Sequence, residues 1–264
     1  VGGNTLMIAE LYSIIIFTAS VLGAAAGLGG GVIIKPMLDL IGYHDLANVV
    51  FISTSAGFVM AGYTIIKQMH EKVKIDWRLV ICIAIGSLLG GYIGDKVFTI
   101  FLSIFTETIV QTIQTILLIT LLLFVLFTTN KTAVFKMKQV DTYIVIIGLI
   151  LGSVSSFIGI GGGPINMAVF TLLFGIPLKL ATIYSLAVIL FSQGSKLLTI
   201  GITIGFGGYD LAILLYCLPV AVLGGVVGSY MNKILDTKPI SITFQLTIIG
   251  IIVINLLTLF RNAI

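Results

Sequence analysis

Charge is what this sequence has least of. Only 9% of its 264 residues are Asp, Glu, Lys or Arg, against 58% hydrophobic content and a mean hydropathy of +1.22. Too little polar surface remains to coat a water-soluble domain of this size, which points to an integral membrane protein. The ten-residue in/out alternation of an outer-membrane barrel is missing, and lipid tolerates only barrels or helices, so helices are expected. Cysteine is almost absent. Cys82 and Cys217 lie in apolar segments, which excludes a disulfide framework and reads as packing.

The residues of common catalytic sites are missing too. There are two histidines, His44 and His70, both in predicted loops, and no HExxH, so no metal site is expected. GLGGGV and GIGGGP lack the last glycine of the GxGxxG dinucleotide fingerprint, and no cofactor is expected. Gly91–Asp95 reads GYIGD, not the Gly-x-Gly-Asp of intramembrane aspartyl proteases, and no Ser-His pair falls on neighbouring helix faces, so the chain is not expected to be an enzyme. The net charge of +4 and pI near 9.0 suit basic cytoplasmic loops rather than a nucleic-acid partner. No signal peptide is expected, because Val1–Leu6 carries no basic residue and the apolar run after it is as long as a full span.

What the chain does have is long apolar runs. Eight are near the twenty or so residues a bilayer requires: Leu6–Leu28, Ala47–Ile66, Trp77–Phe98 and Ile104–Phe127, then Thr142–Ile158, Leu180–Ile200, Tyr209–Met231 and Ile240–Phe260. Two more, Val32–Tyr43 and Pro164–Gly175, give only about 18 Å of helix at 1.5 Å per residue and cannot cross alone.

The halves repeat. GLGGG at Gly27–Gly31 matches GIGGG at Gly159–Gly163 at a shift of 132, while Asp76 matches Asp210 and the Gly90, Gly91, Gly94 pattern matches Gly224, Gly225, Gly228 at 134. The expected division is repeat 1 over 1–127, a basic cytoplasmic linker over 128–141 and repeat 2 over 142–264. Counting the short pieces as crossings puts ten of the fourteen Lys/Arg on one side, which favours inverted copies. The expected fold is therefore an all-α polytopic membrane protein, an inverted repeat of about five plus five helices.

Glycine runs between a long and a half-length helix are costly in lipid unless the backbone lines a cavity or meets a ligand. Each short helix starts at its glycine run, and Pro164 suits a first helical position. Anchored at opposite faces, both would bring their N-termini near mid-bilayer, where free N–H groups and dipole ends form an anion site. The Gly86, Gly90, Gly94 and Gly224, Gly228 series reads instead as helix packing.

These residues resemble a known family, the TauE/SafE sulfite exporters and anion permeases. The resemblance rests on GLGGGVIIKPML (Gly27–Leu38), GIGGGPINM (Gly159–Met167), GIPLKLATIYSLAVI (Gly175–Ile189) and the Gly90 and Gly224 clusters, and it covers both repeats. It departs at Tyr184-Ser185, where Thr-Ser is common. It implies secondary transport of a small sulfur-containing anion, of the sulfite, sulfonate or sulfoacetate class, across the plasma membrane of a prokaryote, with an anion channel or a carrier of non-sulfur organic anions as alternatives.

Candidate substrate contacts are Gly29, Gly30, Gly31, Lys35, Gly161, Gly162, Gly163, Asn166, Ser185 and Gln193. Ionisable groups at bilayer depth cost roughly 2.5–3.5 kcal/mol at a helix centre and are functional candidates by default. Lys35 would add a full charge to a dipole end, or pair with Asp39 at i+4; Asp39 is a candidate proton carrier. Lys196 is placed near the outer end, in the pathway or snorkelling. Glu107, Gln111 and Gln114 share one face, which marks either a homo-oligomer contact or a cavity wall.

Overall fold

The computed structural model describes residues 2–70, 76–128 and 140–263, with side chains from Met7 to Arg261 in those stretches. The expected linker over 128–141 falls outside the described residues at 129–139, as does the middle of the Lys67–Arg78 loop at 71–75. Among the described residues the chain forms ten α-helices and no strand: α1 Gly2–Ala26, α2 Gly31–Ile41, α3 Leu46–His70, α4 Trp77–Ile104, α5 Glu107–Thr128, α6 Asp141–Ile158, α7 Gly163–Leu173, α8 Leu178–Thr203, α9 Leu211–Ile234 and α10 Thr237–Ala263. Eight are long and apolar enough to cross a membrane. The other two, α2 and α7, have 11 residues each and begin at the glycine turns.

Local chemistry sets several boundaries. Asp76 caps α4, its carboxylate accepting from the N–H groups of Arg78 and Leu79, and Asp210 caps α9 through Ile213. α6 stops where Gly159 turns left-handed. Pro164 sits in the first turn of α7, where its missing N–H costs nothing.

The halves exchange helices. α4 of the first half lies along α6 of the second, and α9 of the second along α1 of the first. The glycine series make both contacts close, since a Cβ on Gly90 or Gly94 would overlap the carbonyls of Leu149 or Ser153, and one on Gly224 or Gly228 those of Phe17 or Val21. Leu149 and Phe17, like Ser153 and Val21, are 132 apart, so the two contacts are copies of each other. α3 and α8 cross between them.

Side-chain contacts sort the helix ends into two groups. At one end of the bundle the Leu46 N–H donates to Glu107, His44 meets Tyr12 and Asp210, and Arg261 donates to the carbonyl of Leu40. At the other, Arg78 holds Asp141 through two bonds, the Asp76 N–H donates to Tyr184, and Lys67 donates to Ser229. The bond from Tyr12 to His44 also shows that α2 turns back along α1 rather than continuing it.

Candidate functional site

The two glycine turns touch. A Cβ on Gly31 would come within 2.6 Å of the Ile160 carbonyl oxygen, and one on Gly163 would overlap the Leu28 carbonyl, so each short helix starts against the turn of the other half. Serines lock the junction. Ser53 Oγ on α3 lies 3.3 Å from the Gly31 carbonyl and 3.2 Å from that of Gly159; Ser185 Oγ on α8 lies 3.3 Å from Gly163 and 2.8 Å from Gly27.

Unsatisfied polar atoms lie at this junction and on the helices that lead into it. Ser20 Oγ, Ser155 Oγ, Ser156 Oγ, Thr54 Oγ1, Asn166 Oδ1 and both polar atoms of Gln193 are buried without a hydrogen-bond partner. Ser20 lies against Gly30, Ser155 and Asn166 against Gly162, and Gln193 against Gly161. The N–H groups of Gly30, Gly31, Gly161, Gly162 and Gly163 have no backbone acceptor among the described residues. In a low-dielectric interior an orphaned hydroxyl or amide costs roughly 1–3 kcal/mol, so this concentration is what a site for a polar ligand or bound water looks like.

The structure gathers Gly29–Gly31, Gly161–Gly163, Asn166, Ser185 and Gln193 here. Of the two arrangements expected for Lys35, the structure shows the pair with Asp39. Lys35 is one turn into α2, and its Nζ bonds Asp39 Oδ2 at 2.7 Å, so the ammonium is drawn away from the dipole end; both side chains are buried. Lys196 does not snorkel. It is fully buried, donates to the Ser156 carbonyl at 2.8 Å, lies 3.5 Å from Asp95 Oδ1 and 4.4 Å from the centre of the Phe98 ring. α4 and α6 cover that stretch of α8, which is what encloses it.

Gln114 faces inward and donates to the Phe157 carbonyl at 2.6 Å, while Glu107 is exposed and accepts from the Leu46 N–H, and Gln111 lines a polar cavity. Sequence reading missed Ser20, Ser155, Ser156 and Asp95. A signal existed for three of them: Ser155-Ser156 immediately precedes the second glycine turn, and Asp95 is a lone acid in an apolar helix.

Eight spanning helices around two broken ones, with a buried polar junction, define a multi-pass helical membrane protein. The chain belongs to the sulfite exporter TauE/SafE family, whose profile matches residues 12–255. A relative from Methanocaldococcus jannaschii, named a probable membrane transporter protein, is 25% identical over 233 residues, covering 87% of this chain and 85% of the relative. No solved structure matches the chain significantly. A membrane transporter is thus the class that family and relative share.

Proposed function

We propose that the chain is a secondary transporter of a small anion, a sulfur oxyanion or organosulfonate, bound where the two glycine turns meet. The observation that carries this reading is the cluster of orphaned hydroxyl and amide groups beside two abutting helix starts. The hydroxyls and Gln193 Nε2 among them are donors that suit an oxyanion, and the positive ends of two helix dipoles supply charge without a free ion in the membrane.

Alternating access fits the symmetry. Two apolar hollows flank the α3–α8 crossing at equivalent places. One of 650 Å³ is bordered by Trp77 and Val80 of α4, and one of 240 Å³ by Leu211 and Leu214 of α9, which are their counterparts at a shift of 134. Equivalent hollows of unequal size support a carrier resting in one of two related states. The sorting of helix ends supports inverted repeats, and the basic loops make the end holding Arg78 and Lys67 cytoplasmic. The membrane is the plasma membrane of a prokaryote.

Reconstitution into liposomes, with uptake of labelled sulfite, thiosulfate, sulfonates and carboxylates, tests this. A carrier gives saturable uptake of a sulfur anion that unlabelled substrate on the far side accelerates. Uptake without that acceleration makes the protein a channel, and uptake of carboxylates alone removes the sulfur anion.

A further inference from the structure

At the outer end of α2 a polar cavity of 160 Å³ reaches the buried pair of Lys35 and Asp39; among its lining residues are Asp39, His44, Asp45, Glu107 and Arg261. Asp39 is 4% exposed, its Oδ2 holds Lys35, and its Oδ1 is buried with no partner. The second half has the equivalent cavity, of 280 Å³, at the end of α7. There Thr171 stands at the Asp39 position and Ile176 at the His44 position, both at the shift of 132 that also sets Met167 opposite Lys35, and Thr237 opens α10 as Glu107 opens α5. One cavity is lined with ionisable groups and its copy has none.

We infer that Asp39 is the proton-carrying group of the transport cycle, reached from the outer cavity in this state, and that Lys35 is the switch tying the proton to the anion. This rests on the anion transport proposed above. Without anion, the Lys35 ammonium neutralises the Asp39 carboxylate. An anion at the Gly31 helix start competes for that ammonium, and a carboxylate left buried and unpaired is unstable as a charge. It takes a proton from cavity water: one O–H bond forms on Asp39, one breaks in a hydronium ion, and no oxidation state changes. The loaded carrier has then gained one proton and one negative charge, with no net charge for a monoanion. The inner cavity offers no equivalent acid, so protons load from outside; when the anion leaves on the inner side, Lys35 pairs with Asp39 again, the Asp39 O–H bond breaks and its proton passes to inner water, so the external proton excess drives uptake.

The charged and titratable groups around Asp39 are Lys35 on α2, Tyr12 on α1, His44 with Asp210 behind it, Asp45, Glu107 on α5 and Arg261 on α10. Lys35 is the one in direct contact, so its removal isolates the effect. The experiment is infrared difference spectroscopy of purified protein in lipid nanodiscs at pH 7. Lys35→Met should show a protonated carboxylic-acid band that wild type lacks and that Lys35→Met/Asp39→Asn loses. Absence of the band in Lys35→Met, or its persistence in the double variant, overturns the proposal. Should Lys35→Met misfold, Lys35→Met/Asp39→Thr writes the second half's own residues into the first and serves as the fold control, while Asp39→Asn carries the test: acid-driven uptake of methanesulfonate into proteoliposomes, or of whichever screened anion is taken up, should lose its dependence on an external acid gradient, and retention of that dependence overturns the proposal. Anion binding by calorimetry with no proton uptake in wild type also overturns it and leaves anion transport standing. The Lys35→Met band without binding of any screened anion supports the proton site and removes the anion instead.

Discussion

Ser53 and Ser185 are exchanged between the halves of the chain. Ser53, from the first, reaches the Gly159 carbonyl of the second at 3.2 Å, and Ser185, from the second, reaches the Gly27 carbonyl of the first at 2.8 Å. The two serines are 132 residues apart, as are the two carbonyls, so one contact is the copy of the other. Each hydroxyl also lies beside the first residue of its own half's short helix, Gly31 or Gly163. α3 and α8 thereby hold both broken helices to both turns.

Removing either hydroxyl should therefore weaken the junction. Ser53→Ala and Ser185→Ala should each cost about 1 kcal/mol, the usual net value of a buried hydrogen bond. Because both act on one contact surface, the double variant should depart from additivity. Thermal unfolding in a single detergent measures this; unchanged midpoints in both single variants would remove the serines from the junction.

The long helices and the broken ones were legible because hydropathy and span length are properties of contiguous sequence. Repeated motif spacing was legible too, and the glycine series read as packing faces, but which helices they would meet, α6 for α4 and α1 for α9, was not. Three-dimensional neighbours were not legible. Nothing around Lys196 indicates that Asp95, a hundred residues earlier, and the Ser156 carbonyl would enclose it. The i+4 spacing of Lys35 and Asp39 did announce their pair, because a helix makes that contact local. The orphaned atoms of Gln193 and Ser155 are a tertiary fact: a polar residue in an apolar helix reads alike whether its partner is present or missing.

The two glycines heading the short helices should respond unequally to alanine. Gly162 has φ of +68°, a left-handed conformation that costs an L side chain roughly 1–2 kcal/mol, and its Cβ would strike Ser155. Gly30 has φ of −55°, and its Cβ would meet only the tip of Ile34 and the Ser20 hydroxyl at 3.3 Å. Gly162→Ala should lower the unfolding midpoint and transport, whereas Gly30→Ala should fold with a nearly unchanged midpoint. Equal loss of stability in the two would show that backbone conformation is not the deciding factor.

Lys196 and Asp95 form a buried pair, and breaking one half of such a pair typically costs about 3–5 kcal/mol because the other charge stays uncompensated. Lys196→Met should destabilise by that order. Lys196→Met/Asp95→Leu should recover most of the loss, since both charges leave the membrane together. Chemical unfolding of wild type, single and double variants gives the coupling; a double variant as unstable as Lys196→Met would mean that the bond from Lys196 to the Ser156 carbonyl, not the ion pair, is what matters.

If the halves are inverted, His70 at the end of α3 and Lys238 at the start of α10 lie on the cytoplasmic side, and Gly207 between α8 and α9 lies outside. The contacts give the same division, because Asp210 and Arg261 gather with the α2–α3 junction while Lys67 and Arg78 gather at the other end. The basic residues of the Lys67–Arg78 and 128–141 loops orient it through the excess of Lys and Arg that cytoplasmic loops carry. In a background of Cys82→Ser and Cys217→Ser, single cysteines at His70, Lys238 and Gly207 can be probed in intact cells with an impermeant maleimide. Gly207→Cys should react at once, and its backbone faces open space, so the label meets no obstruction. His70→Cys and Lys238→Cys should react only after the membrane is opened. Labelling of all three from outside would reject inversion, and labelling of His70→Cys and Lys238→Cys but not Gly207→Cys would keep the inversion and reverse its direction, placing the Asp39 cavity on the cytoplasmic side.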